Sequence, residues 1–318
     1  MSVVVGIHIR ILASVSVLPL MLPSSPVVNG SQLSLSFRCS SRSDRGWVAV
    51  NRMEQSMTRT LGLIGSGMIG SAIARLAIGA GLDVVLSNSS GPASLDPLVA
   101  ELGSRARAST PSEAAKVGDI VVATIPLTAY KSLPADAAAG KVVIDTMNYY
   151  PQRDGRIAEL DSFASTSSEL VQRHLERSRI VKAFNNIDFQ RLFTLARLAG
   201  SDERSAVPIA GNDEQAKSDV ASLLDLLGYD SVDIGTLTES WRSEPETPVY
   251  VKPYFPTQPP EGVTPEEAYR WFTETTGVPV SAATVRGLVA GTERGTAGGY
   301  VPEDVSSLRT DADRNWNE

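Results

Sequence analysis

Residues 60–70 read Thr-Leu-Gly-Leu-Ile-Gly-Ser-Gly-Met-Ile-Gly, an apolar run followed by Gly65-x-Gly67-x-x-Gly70. Three glycines at this spacing have separate tasks. Gly65 allows a tight turn, Gly67 lets the backbone approach a phosphate, and Gly70 lets a helix pack on the preceding strand. The helix start then offers free N–H groups and a partial positive charge to a pyrophosphate. Gly65, Ser66, Gly67, Met68, Ile69 and Gly70 are therefore the candidate cradle for a dinucleotide.

The glycine pattern alone is weak, and the elements around it decide. Ile69, Ile73, Leu76 and Ala80 fall at helical spacing, and Gly81 ends that helix. Asp83–Ser87 then reads as a second buried strand. Strand, turn, helix and strand fit within about 30 residues, the size of one βαβ unit. Further strands are predicted over 106–109, 119–126, 141–146, 179–185, 206–211 and 229–235. Helices are predicted over 94–103, 111–117, 167–177 and 213–227. Thr110-Pro-Ser-Glu113 has the form of a capping box. Most of these strands are continuous apolar runs, which implies burial on both faces. The expected fold is α/β: a doubly wound, mostly parallel Rossmann sheet with a Pro-rich, partly helical C-terminal extension.

In such a sheet, ligands bind beyond the carboxyl ends of the strands. That rule selects Ser87, Asn88, Ser89 and Ser90 after the second strand. It also selects Ile125, Pro126 and Leu127, then Thr146, Met147 and Asn148, as further cofactor contacts. Tyr149, Asn185 and Asn186 are candidates for touching the substrate. The second-strand end has no carboxylate to take the ribose hydroxyls, and its small polar groups suit a 2′-phosphate better. Asn148 and Asn185 as loop caps, and Tyr149 and Tyr150 as packing residues, are equally open readings. Arg153 could meet an anionic substrate or form a surface ion pair, and His174 should be solvent-exposed.

The chain has 318 residues, 42% of them hydrophobic, with a net charge of −7. That charge argues against a nucleic-acid surface. One cysteine, Cys39, excludes disulfides within the chain and cysteine-built zinc sites. With His8 and His174 as the two histidines, a histidine-rich metal site is excluded as well. Residues 11–37 carry no charge, but Pro19, Pro23 and Pro26 interrupt the apolar run. The solid apolar stretch is too short for a bilayer span. We expect residues 1–57 to be a disordered extension, 58–239 an NAD(P)-binding domain, 240–302 an arm of prolines, aromatics and short helices, and 303–318 a flexible tail. Thr264-Pro-Glu-Glu267 should open a helix to about 276, with another over 281–290. The arm could pack across a homodimer or on its own domain. A cytoplasmic protein with no membrane and no nucleic-acid partner is expected.

Four segments resemble the coenzyme F420-dependent NADP oxidoreductases, in their actinobacterial NADP-binding branch. They are Gly62–Ser71, Leu86-Ser-Asn-Ser, Ile144-Asp-Thr-Met-Asn-Tyr-Tyr-Pro-Gln-Arg-Asp-Gly155 and Val181-Lys-Ala-Phe-Asn-Asn186. The resemblance covers about 58–250. It implies NADP(H) binding and direct hydride exchange between nicotinamide and a deazaflavin, coenzyme F420, or a similar acceptor. Members of that family carry Arg where this chain has Ser90, and Asn where it has Met147. The first departure weakens the preference for NADP over NAD, so NAD(H) stands beside NADP(H). Hydride transfer between two rings needs positioning and exclusion of water more than an acid or base, so no catalytic side chain is assigned. β-Hydroxyacid dehydrogenases need a catalytic Lys on a long helix, whereas Lys182 lies in a predicted strand. The alternative from another class is a non-catalytic NAD(P)-binding module that senses redox state.

Overall fold

The fold follows from an alternation of buried strands and helices. The structure is a computed structural model that describes residues 60–257 and 262–299. The expected extension 1–57 and tail 303–318 lie outside these residues. Eight strands form the sheet: β1 (Thr60–Ile64), β2 (Asp83–Ser87), β3 (Ala106–Ala108), β4 (Ile120–Ala123), β5 (Val142–Asp145), β6 (Arg179–Lys182), β7 (Ala206–Gly211) and β8 (Asp230–Asp233). Their spatial order is β3-β2-β1-β4-β5-β6-β7-β8. All neighbours are parallel except β6 and β7, which are antiparallel. The order reverses between β1 and β4, which opens a crevice at their carboxyl ends.

The period-2 alternation of strands splits the core into two faces. Leu61 and Leu63 of β1 and Val122 of β4 point to one face. Ile64, Val121 and Ala123 point to the other. The first face is covered by α1 (Met68–Gly79), α7 (Phe189–Thr194) and α8 (Glu214–Leu226). The second is covered by α6 (Ser167–His174) and the 3₁₀ helix Leu127–Ser132. Shorter helices complete the sheet's connections: α2 (Asp96–Leu102), α3 (Pro111–Val117), α4 (Pro151–Asp154) and α5 (Ala158–Asp161).

Most predicted elements are present, with trimmed ends. The edge strands β3 and β8 are exceptions to the apolar rule, since only Ala106 and Val232 in them are buried. At α3 the capping box is half made: Thr110 Oγ1 accepts from Glu113 N at 3.2 Å. The Glu113 carboxylate turns instead toward Arg107, 3.8 Å away. The two-way box forms at α6, between Thr166 and Glu169, and at α9 (Pro265–Glu274), between Thr264 and Glu267. The last helix is α10 (Ala282–Ala290).

The segment after 240 returns to its own sheet. Val249, Tyr254, Val280 and Val285 are buried in the same core as Leu63 and Ile144. The Tyr254 hydroxyl donates to Ala206 O at 3.0 Å, which ties the segment to β7. Arg191 of α7 stacks 4.1 Å from the Phe255 ring and 4.9 Å from Phe272, and so clamps α9 against α7. His174 is half-buried rather than exposed. Its Nε2 sits 2.9 Å from Leu133 O, and its ring meets Tyr130 edge-on at 5.9 Å. Among the described residues, no helix is long and apolar enough to cross a membrane.

Candidate functional site

The glycine turn joins β1 to α1 directly above the crevice. Gly65 has φ +99°, and a Cβ there would lie 2.6 Å from Thr124 O. A Cβ on Gly70 would lie 2.3 Å from Gly65 O. Both positions therefore admit only glycine. The turn is fixed from below: Gly65 N donates to Ser87 O at 2.9 Å, and Thr124 Oγ1 donates to Gly65 O at 2.5 Å. Helix α1 has no side-chain cap at Gly67 and no acidic residue in its first turn. Its leading N–H groups are thus left for an anion, which is the arrangement a pyrophosphate requires.

A cleft of about 580 Å³ opens beside this turn. Gly67, Met68, Ile69, Ile125, Pro126, Thr146, Met147, Asn148 and Asn185 line it, so nine of the sequence-selected residues meet in one place. The rest of the lining forms the opposite wall and includes Arg153, which the sequence offered as an anion contact, together with residues that carry no sequence signal for a site. It carries Tyr150, Phe184, Phe189, Tyr250, Tyr269 and Phe272, with Asp188, Glu246 and Arg153.

Other selected residues serve different ends. Gly65, Ser66 and Gly70 form the underside of the turn. Ser66 Oγ donates to Ser87 O, and Ser87 Oγ donates to Leu63 O at 2.7 Å, so the Ser87 side chain is a fully buried strut directed into the sheet. Asn88 Nδ2 is held by Ser94 Oγ at 2.8 Å, while Ser89 and Ser90 are exposed. Leu127 is buried in the core beneath its turn and lines no cleft. Tyr149 also turns away. Its hydroxyl donates to Asp161 Oδ1 at 3.0 Å and accepts from Ile157 N, and the ring borders a separate cavity of about 320 Å³ with Trp241 and Arg294. Asn186 is fully buried and donates to Val249 O and to the Tyr254 hydroxyl, so it anchors the returning segment. A strand-end rule selects positions; it cannot say which alternate side chain points down.

The floor of the cleft is pinned by buried charge. Asp145 and Lys182 are completely buried, with Lys182 Nζ 3.3 Å from Asp145 Oδ2. Met147 N donates to Asp145 Oδ1 at 2.9 Å, and Lys182 Nζ donates to Met147 O at 2.5 Å. Both main-chain groups of Met147 are thereby fixed by side chains. Lys182 Nζ also donates to Ser167 Oγ at 3.0 Å, and Ser167 Oγ donates to Glu244 Oε1 at 2.5 Å. This chain of bonds links the floor, 145–148, to the wall segment beginning at Pro245. Asn148 and Asn185 are paired to each other, and Asn185 Nδ2 further donates to Ser243 O at 2.7 Å.

The wall is strained and polar-tipped. Phe184, Glu246 and Val251 all line it with positive φ, at 60°, 68° and 55°. Such non-glycine residues cost about 1–3 kcal/mol each and gather at functional sites. The Tyr150 and Tyr250 hydroxyls share a hydrogen bond. Burial pushes both phenols above their ordinary range, so both stay protonated at neutral pH. Asp188 caps α7 by accepting from Gln190 N and Arg191 N through Oδ1. Burial raises its carboxyl above the usual range, with the Arg191 guanidinium opposing.

Comparison with known proteins places this geometry. Residues 60–149 match the sequence profile described as NADP oxidoreductase coenzyme F420-dependent. The match is a similarity of this segment to that family's model. It spans the glycine turn and the cleft floor as far as Tyr149. A crystal structure of the hypothetical protein SMa0349 from Sinorhizobium meliloti is 28% identical, covering 63% of this chain and 96% of its own, with a TM-score of 0.54. A protein from Arthrobacter sp. FB24, described as an F420-dependent NADP-reductase, is 23% identical, covering 58% and 87%, with a TM-score of 0.50. The second likeness supports the fold alone. No curated protein matches the sequence.

Proposed function

We propose that this NADP-binding oxidoreductase transfers a hydride directly between the nicotinamide of NADP(H) and a deazaflavin of the coenzyme F420 type. One observation carries the reading: a single cleft has an anion-receiving glycine turn on one side and a wall of aromatic rings with protonated tyrosine hydroxyls on the other. The residues fit the dinucleotide. Gly65 and Gly70 leave room that any Cβ would fill, and the uncapped start of α1 offers its N–H groups. Gly67, Met68 and Ile69 would hold the pyrophosphate. Ser89 and Ser90 would meet the 2′-phosphate, and Thr146–Asn148 would lie under the nicotinamide. When bound, the nicotinamide supplies a two-electron hydride donor or acceptor.

The chain's own part is positioning and desolvation. The Asp145–Lys182 pair holds the Met147 backbone still. The aromatic rings offer flat apolar faces to a second ring and exclude water from the space between. The Tyr150 and Tyr250 hydroxyls are donors and acceptors for ring carbonyls. In the net reaction NADPH gives hydride to the acceptor ring and a proton comes from solvent, leaving NADP⁺ and the reduced acceptor. The test is to mix the protein with NADPH and oxidised F420 and follow the deazaflavin absorbance. Bleaching with NADPH supports the reading. Tight nucleotide binding without bleaching by NADPH or NADH would contradict it and favour a nucleotide-sensing module.

A further inference from the structure

Arg153 is the single cation among the described residues that line the cleft. Its surroundings differ from those of an ordinary surface ion pair. The partner carboxylate, Asp154, is 0% exposed, while the Arg153 side chain is 41% exposed. Nε donates to Asp154 Oδ1 at 2.7 Å and Nη2 donates to Asp154 Oδ2 at 2.9 Å, a two-pronged contact along one edge of the guanidinium. Asp154 is itself held, because its Oδ2 also accepts from Tyr150 N at 2.9 Å. Nη2 donates further to Asn148 O at 3.0 Å, and the guanidinium lies 4.8 Å from the Tyr150 ring centre. Two contacts to Asp154 and one each to the cleft-lining Asn148 and Tyr150 thus set its plane. Among the described residues Nη1 has no hydrogen-bond partner, so its two N–H groups remain to be used.

Beyond the Asp154 pair, neither carboxylate of the lining forms an ion pair with Arg153 among the described residues. Asp188 faces the Arg191 guanidinium and the N–H groups of α7. Glu246 is exposed, where water and salt screen its charge.

We propose that Arg153 is the anion-recognition group of the cleft, and that its Nη1 side receives a carboxylate or phosphate carried on the side chain of the acceptor ring. The inference rests on the deazaflavin reading and deepens it. It assigns the ring to the aromatic wall and the acidic substituent to Arg153. A guanidinium already fixed in plane loses little freedom on binding, which favours a forked contact with an oxyanion.

Two acceptors with one ring test this. Coenzyme F420 carries a phosphodiester and glutamate carboxylates, and its phosphate-free deazaflavin alcohol carries neither. Each is titrated by fluorescence against the wild type, Arg153→Gln and Arg153→Lys. The wild type should prefer F420. Arg153→Gln should cut that preference about 10- to 100-fold, the range for a hydrogen bond to a charged group. Arg153→Lys, which keeps the charge without the fork, should keep part of it. Where Arg153→Gln fails to fold, the lysine variant and the salt dependence of the wild type decide: rising salt should erode the preference.

A wild type without preference, a preference unchanged in the folded variants, or one insensitive to salt would each overturn the proposal. So would a selective loss of NADPH affinity in Arg153→Gln, which would assign the cation to a nucleotide phosphate. An Arg153-dependent preference without any bleaching of F420 by NADPH would leave this inference standing and contradict hydride transfer alone.

Discussion

The two sides of the cleft are built by opposite means. The glycine turn is made of main chain within six consecutive residues, and what it offers a ligand is N–H groups and room. The facing wall is made of side chains brought together from distant parts of the sequence. Tyr150 meets Tyr250, Ser167 meets Glu244, and Asn185 meets Ser243. The turn is short of side chains because a phosphate must touch backbone. The wall is rich in them because a ring must be gripped by shape and by a few polar tips. A generic part therefore faces a particular one, and cofactor binding and acceptor choice should respond to different substitutions.

The largest expected effect falls on the cleft floor that lies between the two sides. Lys182→Met strands the buried Asp145 carboxylate, and urea unfolding should show a loss of about 3–5 kcal/mol. A loss below 1 kcal/mol would mean that the Asp145–Lys182 pair does not pin the floor. Next comes the turn. Gly65→Ala forces a Cβ against Thr124 O at positive φ, so NADPH affinity should fall about 10- to 100-fold, corresponding to strain of about 1–3 kcal/mol. Binding followed by nucleotide fluorescence checks this, and unchanged affinity would break the contrast between the two sides.

A smaller effect is expected at the tyrosine tips. Tyr250→Phe removes the bond to the Tyr150 hydroxyl, worth about 1 kcal/mol. It should raise the acceptor KM several-fold while leaving the NADPH affinity unchanged. An equal shift in both constants would show that the wall also serves the nucleotide.

The smallest effect is in the pH dependence of stability. Asp188 has a folded-state pKa raised by burial, so its ionisation is opposed in the native state. Its contribution is fully present below the unfolded pKa of about 3.9 and is lost as pH rises through the folded value. Asp188→Asn keeps the cap on α7 without a titrating group. The difference in melting temperature between variant and wild type should therefore move in the variant's favour as pH rises from about 4. A difference independent of pH would remove Asp188 from the account.

The same contrast explains what could be read in the sequence. The turn was legible because its rules are local: Gly65, Gly67 and Gly70 are fixed by backbone conformation and close approach, and their neighbours repeat at helix and strand periods. The strand-end positions 125–126 and 146–148 were legible for the same reason. Ser87, Leu127, Tyr149 and Asn186 were selected by position, yet their side chains point into the core or to another cavity. Orientation at a strand end depends on packing partners that lie far along the chain. Tyr250, Phe272 and Asp188 carried no local signal, because they become wall residues only when the returning segment and α9 lie against α7. The unequal neighbours of Arg153, a buried carboxylate and an open cleft, have no trace in the run Arg153-Asp154.

Direct hydride transfer across the cleft is tested most plainly with NADPH carrying deuterium at the reactive C4 position. The reduced deazaflavin is then analysed by mass spectrometry. The account predicts that one of the two C4 hydrogens passes stereospecifically to the acceptor ring carbon with no exchange into water. Deuterium appearing in solvent, or a reduced acceptor labelled from solvent instead, would contradict the meeting of both rings in this one cleft.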